Sequence, residues 1–317
     1  MKTRRTFLKQ AAMGATAISL PTVPVFGNLS PLNFPEMKAP KISLAQWSLH
    51  RALEKGNLLA IDFANISKDT YGIEAVEYVN QFYVDHATDE GFWNTMKGRA
   101  DDSGVKSLLI MVDNEGDLGN PKDNERKKAV ENHYKWIHAA KILGCHSIRV
   151  NAFGQGTKAE LKQPLISGLG ALAEYGAMEK MNVLIENHGL HTSDGKYITD
   201  IIKAVDNPYL GTLPDFGNWC LNKEWGSTQN NTCNQVYDRY QGLTEFLPYA
   251  KGVSAKSYDF DTAGNETIMD YDRLLQIVKD SSFDGYIGIE FEGEHINEPE
   301  GIRATKALIE RIWKELN

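Results

Sequence analysis

Seven short apolar runs carry side chains that can do chemistry, most of them near the run's C-terminal end. Arg149 and Asn151 lie in SIRVNAF, Glu186 and His188 in NVLIENH, and Asp215 in LGTLPDF. Lys256 lies in GVSAKSYDF, Glu290 and Glu292 in YIGIEFEG, Glu77 in GIEAVEYV, and Trp47 ends KISLAQW. Carboxylates of this kind can take a proton from a carbon beside a carbonyl and return it. Grouped together they cannot all stay ionised without a cation, and a divalent metal or Lys256 can supply one. Lys256 therefore has three readings: charge partner of the acids, donor to a substrate oxygen, or Schiff-base nucleophile. His188, two residues after Glu186, is either a strand-end cap or part of the same chemistry. Arg149, Asn151, Glu77 and Trp47 are read as contacts to a polyhydroxylated substrate.

Such residues converge only if the runs are strands of one sheet. Eight runs recur, at 41–47, 72–79, 107–113, 147–153, 182–188, 210–216, 252–260 and 286–293. Segments of helical character separate them, such as ERKKAVENHYKWIHAAKILG and MDYDRLLQIVKDSSF. Gly144 and Gly285 are placed where helices stop. Strand and helix alternating eight times predicts an α/β fold, a single-domain (β/α)8 TIM barrel over 41–317. An open doubly wound sheet is the rival, and the absence of a Gly-x-Gly-x-x-Gly after the first run weighs against it. Alternation then points Arg149, Asn151, Glu186, His188, Ser254, Lys256, Tyr258, Glu290 and Glu292 into the lumen. Ile148, Val150, Val183, Ile185, Val253, Ala255, Ile287, Ile289 and Phe291 point to the helices.

The N-terminus is set apart. MKTRRTFLKQAAMGATAISL resembles a twin-arginine export signal, so residues 1–27 are read as a leader, 28–40 as a lead-in, and the location as periplasmic or otherwise exported. Losing Lys2, Arg4, Arg5 and Lys9 with that leader moves the formal charge from −8 to −12. So acidic a chain, without a basic cluster, is a poor partner for nucleic acid or anionic membrane, and no stable membrane anchor is expected. A homo-oligomer is left open. Cys220 and Cys233 can pair across NKEWGSTQNNT or stay free, and Cys145 reads as buried.

With the motifs in this order, the chain after residue 40 resembles the xylose isomerase-like barrels, often called sugar phosphate isomerases/epimerases. The marks are Ile185-Glu186-Asn187-His188 on the fifth run, Asp215 in LPDFGNW on the sixth, and Gly288-Ile289-Glu290 on the eighth. The resemblance implies that Glu186, Asp215 and Glu290 bind Mn²⁺, Mg²⁺ or Co²⁺ together with a seventh-strand histidine. It also implies that Glu186 and Glu290 are the proton-transfer pair; the reading of the residues themselves adds Lys256 and His188 to the catalytic set. Aligned on Lys256, Ser254 stands where that histidine is expected, and Asn218 stands where many epimerases carry another. The expected function is isomerisation or epimerisation of a non-phosphorylated sugar or keto-sugar. The alternatives are a lyase eliminating β to the carbonyl of a keto-glycoside, a Schiff-base enzyme, and a barrel that only binds saccharide.

Overall fold

The computed structural model describes residues 39–229 and 233–316. The leader and residues 28–38 of the lead-in lie outside them.

Eight strands alternate with helices: β1 (Ile42–Ala45), β2 (Ala75–Val79), β3 (Lys106–Val112), β4 (Ser147–Val150), β5 (Asn182–Glu186), β6 (Leu210–Leu213), β7 (Gly252–Ser257) and β8 (Tyr286–Phe291). They pair in parallel in the order β6-β5-β4-β3-β2-β1-β8-β7. Parallel bridges Thr212–Ala250 and Asp215–Ser254 bring β6 to β7, so the sheet curls into a nearly closed barrel. Each strand coincides with one of the eight apolar runs, β3 starting one residue before its run, and all but β2 stop short of the run's end. The residues beyond, Gln46–Leu49 or Asn187–Gly189 for instance, turn away to build the mouth.

Burial follows the alternation. Ile148, Val150, Val183, Ile185, Val253, Ala255, Ile287, Ile289 and Phe291 join the core between sheet and helices. Ala45, Val79, Leu109, Met111, Leu184 and Leu213 form a smaller cluster inside the barrel. Tyr258 departs from the expectation. It follows the end of β7 and packs in the larger core, with Ser227 Oγ donating to its Oη at 3.2 Å.

Helix ends explain where the strands begin. Helix Asp123–Leu143 stops at Gly144, whose φ of 81° is the left-handed conformation that a side chain disfavours. Helix Tyr271–Asp280 instead ends at Ser281, so Gly285 is no helix stop. An added Cβ at Gly285 would lie 2.4 Å from the Phe283 ring, and close packing is what glycine serves there. Cys220 and Cys233 form a disulfide, while Cys145 is free and buried.

Candidate active site

A cavity of about 280 Å³ opens at the C-terminal ends of the strands. Among the expected residues, Trp47, Arg149, His188, Lys256, Glu290 and Glu292 line it; Glu186, Asp215 and Glu77 lie behind that lining, and Asn151 lines a smaller neighbouring cavity. All of these except Trp47 and Glu292 are at most 9% exposed, so the polar groups must satisfy one another.

Lys256 is the hub. Its register partner across the β7–β8 pair is Glu290. Nζ lies 3.0 Å from Glu290 Oε1, 3.0 Å from Glu292 Oε1 and 3.7 Å from Asp215 Oδ2. Burial works to lower its pKa, but Asp215, Glu290 and Glu292 hold it well above the ordinary lysine value. Asp215 is fixed by donors from its own turn: Gly217 N at 2.7 Å and Asn218 N at 2.8 Å reach Oδ1. Ser254 Oγ donates to Oδ2 at 2.7 Å. Asn187 clamps the same turn, accepting from Asp215 N and donating to Asp215 O. Burial nevertheless raises the Asp215 carboxyl to about 6. The Asn218 amide satisfies its neighbours with its oxygen 3.0 Å from Lys256 Nζ and its nitrogen donating to Trp225 O at 3.3 Å. The end facing Lys256 also lies 3.3 Å from Glu186 Oε1. An oxygen there is met by the proton that burial favours on Glu186, whose pKa stands well above the carboxylate range.

A second chain of contacts runs from Asp113, just past β3, to His188. Asp113 Oδ1 accepts from Arg149 at 2.5 Å and from Asn151 Nδ2 at 2.6 Å. Arg149 also places Nε 2.8 Å from Glu186 Oε2. With Asn151 Nδ2 committed to Asp113, Asn151 Oδ1 faces His188 Nδ1 at 2.7 Å, so that nitrogen must carry the proton. His188 Nε2 is then left with a lone pair. Burial first, then the Arg149 charge, pushes the His188 pKa well below its usual value and keeps the ring neutral.

The sequence reading passed over Asp113 and Trp225. Trp225 lines the cavity on the disulfide-closed loop and meets His188 edge-on at 4.9 Å. It adopts a left-handed φ of 66°, a strained conformation for a tryptophan that the loop must hold in place. On the other side Trp47 stacks on His50 at 4.5 Å.

Glu77 is in the lumen but beneath the cavity. Ser43 Oγ donates to its Oε1 at 2.6 Å, Oε2 has no partner, and a Cβ at Gly288 would lie 2.5 Å from Oε1 and 2.9 Å from Oε2. Glycine at 288 thus leaves room for this carboxyl. Burial raises its pKa from 4.5 to about 7. A folded-state pKa above the unfolded one means the folded state binds the extra proton, so stability falls as pH rises from about 4.5 to about 7. Removing the charge with Glu77→Gln should leave stability nearly unchanged at pH 4. At pH 8 it should raise stability by about 2–3 kcal/mol, read from urea unfolding.

The family model of the xylose isomerase-like TIM barrels matches residues 68–312. The chain belongs to the xylose isomerase-like TIM barrel family. No curated protein matches it in sequence. Among solved structures, it is similar to 3-keto-D-glucoside 4-epimerase YcjR from E. coli (TM-score 0.63, 13% identity, 85% of this chain and 98% of that one). A D-tagatose 3-epimerase-like protein superposes with TM-score 0.65 at 16% identity, over 87% and 98% of the two chains. A D-psicose 3-epimerase studied with D-fructose gives 0.61 at 12%, over 86% and 99%. At these identities the likeness is one of fold.

The residues present do not fit the divalent ion that the resemblance implies for this xylose isomerase-like barrel. Ser254 supplies a hydroxyl in the histidine position and bridges two of the acids, donating to Asp215 at 2.7 Å with Glu290 Oε2 at 3.4 Å. The Lys256 ammonium stands beside Glu290 and Asp215, and Arg149 beside Glu186. Among the described residues, no three His, Cys, Asp or Glu side chains are grouped to hold a metal.

Proposed function

We propose that this protein is a sugar isomerase or epimerase that moves a proton next to a carbonyl of a non-phosphorylated sugar or keto-sugar. The observation that carries this reading is the cavity wall on which Lys256 Nζ and Glu290 Oε1 sit 3.0 Å apart, with Arg149 and the unprotonated Nε2 ring of His188 on the same cavity. The carbonyl oxygen accepts from Lys256, and Glu290 takes the proton from the adjacent carbon. The C–H electron pair becomes the enolate π bond while the carbonyl pair moves to oxygen, where the ammonium stabilises it. A proton passing from the Glu186 carboxyl to the opposite face of that carbon gives the epimer, leaving Glu186 ionised beside Arg149 and Glu290 protonated. Return of that proton to the former carbonyl carbon, with the neighbouring hydroxyl's proton carried by His188 Nε2 to the former carbonyl oxygen, gives the isomer. Arg149 and His188 hold the neighbouring hydroxyls, and His188 Nε2 is the second proton acceptor.

Elimination β to the carbonyl of a keto-glycoside shares the first step. Trp225, 42% exposed at the mouth, offers a face for the departing group. A Schiff base at Lys256 is the weaker reading, because an amine held charged by three acids is not a nucleophile. The Cys220–Cys233 disulfide supports the export reading, since such bonds persist in oxidising compartments. Cell fractionation with Arg4→Lys/Arg5→Lys checks it by retention in the cytoplasm.

The test is a panel of non-phosphorylated ketoses and keto-glycosides in deuterated water. Deuterium at the carbon beside the carbonyl is the expected result. Saccharide binding without exchange across the panel would leave only the binding-barrel reading.

A further inference from the structure

We propose that the Lys256 ammonium is the permanent cation of this site, built into the place that the family's resemblance assigns to a divalent ion, so that the proton transfer proceeds without metal. This rests on the proton-transfer reading above and goes beyond it by naming what polarises the substrate oxygen.

The lysine is housed, not merely present. Its side chain is 1% exposed, and the wall beside its stem is glycine: a Cβ at Gly217 would lie 3.0 Å from Lys256 Cδ and 2.6 Å from Tyr258 Oη. Three oxygens match its three protons, from Glu290 at 3.0 Å, Glu292 at 3.0 Å and Asn218 at 3.0 Å. Those oxygens come from β8, from the residue after it and from the turn beyond β6, so the ammonium ties together the parts of the mouth that a coordinated ion would tie.

Ser254 completes the exchange. It sits two residues before Lys256 on the same inward face of β7, and its proton goes to Asp215 where a histidine lone pair would have gone to a cation. A doubly charged ion placed among these acids would stand a few ångströms from a fixed ammonium and a guanidinium, a like-charge contact that costs binding. Of the three groups holding Nζ, Glu292 is the most exposed, at 20% of its side chain, and both it and Lys256 line the cavity. A substrate oxygen therefore reaches the ammonium by displacing the Glu292 carboxylate, with Glu290 still in place as the base.

The test uses the full-length purified protein, with elemental analysis made before any chelator and thermal melts made after EDTA treatment. Thermal melts with Mn²⁺, Mg²⁺ or Co²⁺ should show no shift for the wild type, and elemental analysis should find no stoichiometric ion. The double variant Ser254→His/Lys256→Met restores an imidazole and removes the competing charge. It should gain a melting temperature that rises with ion concentration. One tightly bound ion per wild-type chain overturns the proposal, as does deuterium exchange that EDTA abolishes and one of these ions restores. If the double variant fails to fold, the wild-type melts and elemental analysis still decide. The metal readouts need no substrate, so a barrel that exchanges no sugar at all fails the proton-transfer reading while these readouts still settle the cation.

Discussion

Replacing Lys256 with methionine should cost about 3–5 kcal/mol of folding free energy and lower deuterium exchange by roughly 10²–10³-fold. Methionine keeps much of the stem's apolar packing, so the loss isolates the charge. Without it, Asp215, Glu290 and Glu292 face one another with no cation among them. Burial already raises the Asp215 carboxyl to about 6 against the pull of Lys256, so without that charge its folded pKa rises further and the variant loses stability as pH rises above about 4. In the wild type the lysine has a folded pKa above its ordinary value. Its contribution is complete below about 10.4 and disappears only as pH rises beyond that. The gap between wild type and variant should therefore be wide from pH 7 to 10 and narrow at pH 4, measured by urea unfolding. Equal stability at pH 8 would contradict the hub role. The Glu292→Gln variant separates the two effects. It removes a partner that reaches solvent and should leave stability within about 1 kcal/mol, while changing the apparent substrate affinity.

The barrel was legible because both levels of its pattern survive in sequence: period-two alternation within each run and strand–helix alternation along the chain. The inward direction of Glu186, Lys256 and Glu290 followed from the same pleat. What alternation could not give is depth. Glu77 has the same inward parity as the site residues, yet Val79, two residues further along the same face of β2, lines the cavity instead, and Gly288 leaves space for the Glu77 carboxyl beneath. Asp113 escaped notice for the opposite reason: it lies one residue beyond β3, where parity no longer dictates direction. Trp225 depends on a turn closed by a disulfide between residues 13 apart, a pairing left open by the spacing. The partnership of Ser254 with Asp215 needed the β6–β7 bridge, a contact between residues 39 positions apart.

Asp113 should prove nearly as sensitive as Lys256 although it is not expected to touch the reacting carbon. Burial alone would raise its carboxyl, but the Arg149 charge and the hydrogen bonds from Arg149 and Asn151 hold it below the ordinary aspartate value. A depressed folded pKa gives stability that is present above about pH 4 and is lost as pH falls through the folded value. Asp113→Ala leaves Arg149 with Glu186 as its remaining close carboxylate and should cost about 3–5 kcal/mol at pH 7. The cost should shrink as pH falls below about 4. The same substitution frees the Asn151 amide to turn, so His188 Nδ1 no longer faces a fixed acceptor and the two tautomers mix. Nitrogen NMR of the ring reads this directly, as one Nδ1–H signature in the wild type and an averaged one in Asp113→Ala. A misdirected Nε2 and guanidinium should lower exchange by roughly 10²-fold, the scale of an ångström-level misplacement. Asp113→Asn retains an oxygen acceptor at that point and should recover part of the rate and the Nδ1–H signature while regaining little of the charge-dependent stability. A purely structural Asp113 would lose stability in Asp113→Ala with the tautomer unchanged, and that pattern would remove it from the positioning of His188.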